Sequence, residues 1–174
     1  MARCKICKGK FEAKYFLQKA CLNPACLAEW AKLDRESKVD KKYAQKKREL
    51  KANDRTFRTK EAQKAFNAYI RKRDEKEPCI SCQRYHSGQY HAGHFKTTAA
   101  RPDLRFNEDN CHKQCAPCNN HLSGNIGEYI VHLIKKIGQT RLDDLNRVEI
   151  VKYSCDELKE IELKYKRKLK ELME

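Results

Sequence analysis

The side chains able to run phosphodiester hydrolysis fall together in one stretch of this chain. It reads Cys79-Ile-Ser-Cys82, then His91-Ala-Gly-His94-Phe95, Arg105-Phe106 and Asn110, then Cys115-Ala-Pro-Cys118-Asn119-Asn120-His121. Hydrolysis needs a base to activate water and a divalent cation to stabilise the developing charge and the leaving oxygen. A neutral imidazole, with an ordinary pKa of about 6.5, can take the water proton at physiological pH. Oxygen donors from Asn, water and phosphate, with one imidazole, suit Mg2+ or Mn2+ and require no thiolate. The local chemistry is complete for a one-metal nuclease built on His91, His94, Asn110, Asn119 and His121. His91 and His121 also read as packing or capping residues, and His86, His112 and His132 as surface, phosphate-contacting or core groups.

The thiols have a different task. Cys79, Cys82, Cys115 and Cys118 form two CxxC pairs that would close a tetrahedral zinc site, and a closed Cys4 site leaves no position for water or substrate. That zinc is structural, pinning a strand-turn segment near Cys79 against the start of a helix at Cys118. Cys4, Cys7, Cys21 and Cys26 form a second set with a looser CxxxxC pair. In a reducing compartment, ten cysteines in a basic chain point to zinc rather than disulfides. Cys111 and Cys155 are left over and read as buried thiols.

Around these residues the chain divides into four regions. Residues 1–27 read as a zinc-bound module with Phe11, Tyr15, Phe16 and Leu17 as its apolar material. From Leu27 to about Lys76 there is no Gly or Pro, and helix formers dominate. A break is expected at Ala52-Asn53-Asp54-Arg55-Thr56, where Asn, Asp and Thr favour turns and caps. This basic region, 28–77, precedes a metal-centred core at 78–127. The last region, 128–174, holds a helix from Glu128 to Ile137 that stops at Gly138, and a short helix from Leu142 to Val148. It ends with a helix to Met173 opened by the capping box Ser154-Cys-Asp-Glu157. The expected class is α+β, mainly helical, with long basic helices.

Charge narrows the partner. The chain of 174 residues has a formal net charge of +15, with 36% charged residues. Residues 1–78 hold 23 Lys/Arg against 11 Asp/Glu, and residues 79–174 hold 16 against 13. Each phosphate neutralised by a Lys or Arg releases counterions, so this excess points to a polyanion. The run Lys41, Lys42, Lys46, Lys47, Arg48, Lys51 could follow a phosphate backbone or face solvent. No apolar run long enough to span a bilayer is present, so a soluble, intracellular protein is expected.

The order of CxxC, histidine, Asn and CxxC-Asn resembles the HNH, or His-Me finger, nucleases with a structural Cys4 zinc, endonuclease VII-type Holliday-junction resolvases among them. HAGHF, RFNEDNCHKQCAPCNNHLSGN and the cysteine-bearing N-terminus resemble more closely the NinG (Rap) recombination proteins of lambdoid phages. The resemblance implies a small ββα-metal core and a structure-specific endonuclease acting on Holliday junctions and D-loops in the cytoplasm of a bacterial host. It makes His94 the general base, Asn110 the Asn that orients it, and Asn119 a ligand of the catalytic cation. Most HNH nucleases place Asp or His directly before the base. Gly93 stands there, which leaves His91 as a substitute ligand and His121 in reserve. Junction cleavage needs cuts on opposing strands, so a homodimer and recombination-protein partners are expected. The alternatives are a non-catalytic zinc-finger protein that binds nucleic acid and a recombination adaptor.

Overall fold

The computed structural model describes residues 1–147 and 151–174. Two compact units are present, Met1–Lys51 and Ala52–Glu174. In the first, β1 (Ala2–Arg3) and β2 (Lys10–Phe11) pair antiparallel, Ala2 facing Phe11. Helix α1 (Pro24–Ala52) follows. Asn23-Pro24 starts this helix. The Asn23 side chain accepts from Ala25 N at 2.9 Å, and Pro24 takes the first helical position, where no N–H is needed. Cys26 thereby lies in the first turn, beside buried Cys4 and Ala20, with Ile6, Phe11 and Trp30 packed around them. This core is too small to support a fold without a staple.

The second unit opens with α2 (Arg55–Arg73), capped by Asp54, whose carboxylate accepts from Thr56 N and Phe57 N. Strand β3 (Tyr90–His94) pairs antiparallel with β4 (Cys111–Cys115), in a register that sets His94 opposite Cys111 and Tyr90 opposite Cys115. A π-helical turn, Pro117–His121, leads to α3 (Ile126–Ile137), α4 (Gln139–Asp144) and α5 (Cys155–Glu171). The capping box at Ser154 is formed, with side-chain and backbone bonds to Glu157 in both directions. The short helix expected from Leu142 to Val148 begins earlier, at Gln139, because Gly138 at φ +81 ends α3 and turns directly into α4. Val148 itself lies outside the described residues.

The hairpin β3–β4 has a helix on each face. Ala62, Ala65, Phe66, Tyr69 and Ile70 of α2 bury with Leu158 and Tyr165 of α5, and Ala92 and Cys111 of the hairpin join them. On the other face Tyr129 of α3 reaches the hairpin backbone, its hydroxyl donating to Gly93 O at 3.0 Å. Ile80, Phe95, Leu104, Leu133, Leu142 and Leu145 pack there. No helix among the described residues is long and apolar enough to cross a membrane.

Candidate functional site

Both sets of four cysteines converge. In Cys4, Cys7, Cys21, Cys26 and in Cys79, Cys82, Cys115, Cys118 the sulfurs all lie within 4.8 Å of one another. Cys7 Sγ and Cys21 Sγ are 3.9 Å apart, as are Cys82 Sγ and Cys115 Sγ. Four thiolates at about 2.3 Å from a tetrahedral zinc stand about 3.8 Å from one another, so either cluster could hold Zn2+. Backbone N–H groups of the knuckles turn toward the sulfurs. Those of Cys21, Cys7 and Ile6 draw the Cys4 thiol down to about 6 against the opposing effect of burial, and Cys115 N donates to Cys79 Sγ at 3.3 Å. His86 Nε2 lies 3.2 Å from Cys82 Sγ, which puts this histidine beside the thiolates rather than on a phosphate.

The downstream cluster clamps one end of the hairpin, and His94 stands at the other. Its Nε2 is 3.0 Å from the carbonyl of Arg105. A carbonyl only accepts, so Nε2 carries the hydrogen and Nδ1 is the basic nitrogen. Nδ1 faces the Cys111 sulfur at 3.6 Å, and the Phe66 ring centroid lies 6.0 Å from the imidazole. Burial lowers the His94 pKa below its ordinary 6.5, only partly opposed by the bond to Arg105 O. Burial likewise pushes the Cys111 thiol up, so it stays protonated and un-nucleophilic.

Asn110 acts one step away from His94. Its side chain donates to Lys96 O at 3.0 Å and Leu104 O at 3.2 Å and accepts from Lys96 N at 2.8 Å. Its carbonyl takes Phe95 N at 2.8 Å. These bonds staple both ends of the 95–110 loop, and the loop carries Arg105. The direct contact to His94 is thus made by Arg105, a residue to which the motif assigned no role. Asn110 holds the loop that presents it.

The register separates His91 from His94. Side chains alternate along a strand, so residues three apart leave opposite faces. His94 faces α2 with Ala92 and Cys111, whereas His91 is paired with Gln114 on the face of Gly93 and His112. His91 therefore shares the face of position 93, the one directly before the base, and lies on the opposite face from His94. His91 Nε2 is buried without a hydrogen-bond partner. Gly93 is explained by the same face. A Cβ there would lie 2.2 Å from Gln114 Oε1 and 2.9 Å from Gln114 Cβ, so the space of an Asp or His side chain is already filled.

Asn119 and His121 both lie on the π-helical turn after Cys118, where Asn119 Nδ2 donates to Asn120 Oδ1 at 2.7 Å and His121 is exposed. Positions two apart on a helical turn do not share a face. Among the described residues, His91, His94 and His121 belong to no group of three or more His, Cys, Asp or Glu ligands. His112 is a core residue, 3.2 Å from the Tyr129 hydroxyl and held down to about 3 by burial. His132 is half-buried, 3.9 Å from Glu128.

The groups that join the hairpin to α2 are not among the residues the sequence singles out. Arg73 donates to Cys111 O at 2.9 Å and Glu108 O at 3.1 Å while paired with Asp74, and Asp74 accepts from Lys113 N at 3.0 Å. An adjacent Arg-Asp pair in a charged run carries no sequence signal of that task.

Comparison with known proteins adds a lineage. A family model described as "Bacteriophage Lambda NinG protein" matches residues 1–174. The chain is similar to protein ninG of Escherichia phage lambda, 48% identical over 126 residues, covering 72% of this chain and 62% of that protein. It is also similar to protein ninG of Escherichia phage 933W, 40% identical with 98% and 92% of the two chains covered. Protein ninG of Salmonella phage P22 is 46% identical over 126 residues. The chain thus spans under two thirds of the lambda and P22 relatives. No solved structure matches.

Proposed function

The chain belongs to the NinG family of bacteriophage proteins, and on that premise we propose that it is a metal-dependent endonuclease of the HNH type acting on branched DNA in phage recombination. One observation carries the reading. Away from the Cys4 cluster that gathers the hairpin's other end, His94 is fixed through Nε2 by a main-chain carbonyl, which makes Nδ1, beside the Cys111 sulfur at 3.6 Å, its proton-accepting nitrogen. Here a buried Asn makes three side-chain bonds to hold the carbonyl in place.

In this reading His94 takes the proton of the attacking water, and Mg2+ or Mn2+ supplies charge stabilisation at the phosphate. Asn119 is the protein ligand we assign to the cation, with water and phosphate oxygens filling the rest, as Mg2+ commonly arranges. Paired nicks across a junction call for two such centres, so a dimer on the substrate is expected, with other recombination proteins as its company.

The test is cleavage of a synthetic four-way junction beside linear duplex in Mg2+ and Mn2+. His94→Ala should keep fold and junction binding and lose nicking by about a thousandfold or more. Asn119→Ala should raise the Mg2+ concentration required. Undiminished nicking by His94→Ala would overturn the mechanism. Tight binding by the wild-type chain without cleavage in either metal would favour a non-catalytic nucleic-acid-binding protein.

A further inference from the structure

Helix α2 has a second face that the core does not use. Arg55, Thr59, Gln63, Asn67 and Arg71 recur every four residues and form one row along the helix, with Lys60 and Lys64 beside it. The row is bonded within itself, Thr59 Oγ1 to Arg55 O at 2.8 Å and Gln63 Nε2 to Asn67 Oδ1 at 2.7 Å. Arg105 arrives from the 95–110 loop, donating to Gln63 Oε1 and to Thr98 O, each at 3.3 Å. Two grooves of about 400 and 450 Å3 run along this row and share Thr59, Lys60 and Arg105. No carboxylate lines either of them.

A charged helix face is usually no more than a solvated surface, and α1 fits that description, with nine Lys/Arg interspersed with five Asp/Glu. The α2 face differs in three ways. Its cations are sorted: Arg58, Lys72 and Arg73 pair with Glu162, Glu75 and Asp74, whereas Arg55, Lys60, Lys64 and Arg71 make no ion pair among the described residues. Between those four stand neutral hydrogen-bonding groups rather than acids. And the surface is concave, with a guanidinium from a second element closing one side.

We propose that this row is a track for one phosphodiester backbone of a duplex DNA arm, and that Arg105 is its register post. From Arg55 to Arg71 the row spans about 24 Å, the axial length of roughly seven base pairs. Arg105 lines both grooves while its own carbonyl holds His94. A phosphate seated on that guanidinium is thereby placed at a fixed offset from the base, so the track sets which bond is cut. The inference rests on the nuclease reading for its consequence but not for the binding itself.

Binding is therefore measured first, with the full zinc-loaded chain, Mg2+ omitted, and a fluorescent duplex of about 20 base pairs titrated over roughly 50–200 mM salt. Lys60→Ala with Lys64→Ala should weaken binding about tenfold and flatten the slope of log K against log salt by about 2, one unit for each phosphate no longer neutralised. Lys41→Ala with Lys42→Ala on α1 removes the same charge and should leave that slope within about half a unit of wild type. Equal effects in both pairs, or an unchanged slope in the α2 pair, overturn the track, as does tighter binding to duplex RNA of the same sequence. Thermal melts of the alanine pairs separate unfolding from the removal of charge. Arg105→Gln keeps the carbonyl and removes the cation, so nicks on a junction should scatter over neighbouring phosphates. Unshifted, sharp nicks in that variant overturn the register post. A wild-type chain that binds with the expected slope but never nicks sinks the nuclease reading and leaves the track standing.

Discussion

At the scale of single residues, the histidines divide by surroundings rather than by motif. His112 is buried and made a core hydrogen-bonder, His86 lies beside a cysteine cluster, and among the described residues only His94 is fixed through one nitrogen by a loop carbonyl. This has a consequence for pH. Burial disfavours the imidazolium form of His94, so its pKa in the folded chain lies below 6.5. The neutral imidazole is then present at pH 7 and is lost only as the pH falls through that lowered value. The acid limb of kcat/KM should accordingly lie below pH 6.5, measured on junction nicking with zinc content checked at each pH. A limb above 6.5 would rule out His94 as the titrating base. His94 is legible in sequence because it stands between two CxxC pairs. The part played by Arg105 is not, because a main-chain carbonyl leaves no trace in residue type.

At the scale of elements, local signals are legible in the sequence and tertiary ones are not. Asp54 and Ser154 announce the starts of α2 and α5, since a cap is chemistry between neighbours in the chain. Helix α1 starts at Pro24, ahead of the Leu27 where the helical composition begins, because proline breaks a helix interior but suits a first turn. The faces of β3 are harder still. Alternation is visible only once a register is known, and the register comes from pairing His94 with Cys111. Gly93 is the clearest case. From sequence it is a missing ligand, and from structure it is the only residue type that leaves room for Gln114. Gly93→Ala should cost about 1–3 kcal/mol in denaturant unfolding, because the clash is with Gln114 Cβ as well as the flexible end of its side chain. Adding Gln114→Ala should return part of that loss, giving a coupling energy of at least about 0.5 kcal/mol in a double-mutant cycle. Independent, additive losses would show that the glycine is kept for some other reason. The phosphate row on α2 is hidden in the sequence for a related reason. Its cations are interleaved with Arg58, Lys72 and Arg73, and only the fold shows which of them are already paired.

At the scale of the whole molecule, two compact units each carry one Cys4 cluster that could hold zinc, and the ion would serve each unit differently. In Met1–Lys51 the buried apolar residues are Cys4, Ala20 and Cys26, too little to offset the chain entropy of ordering some fifty residues. In Ala52–Glu174 a real core exists on α2, α5 and the hairpin, and the cluster clamps only the hairpin's far end. Zinc release should therefore have unequal effects. The wild-type chain should yield two equivalents of zinc to a chromogenic chelator after thiol modification, one from each cluster. Cys4→Ser should give one equivalent, with loss of order in the first unit seen by hydrogen exchange, while the exchange-protected hairpin and α2 of the second remain. Cys79→Ser should also give one equivalent, yet it should abolish nicking, because the hairpin that carries His94 loses its clamp. Its α2–α5 core should keep helical circular dichroism, since Phe66, Ile70, Leu158 and Tyr165 pack without the metal. If Cys4→Ser instead removed both equivalents, or melted α2 and α5, the two units would have to fold as one.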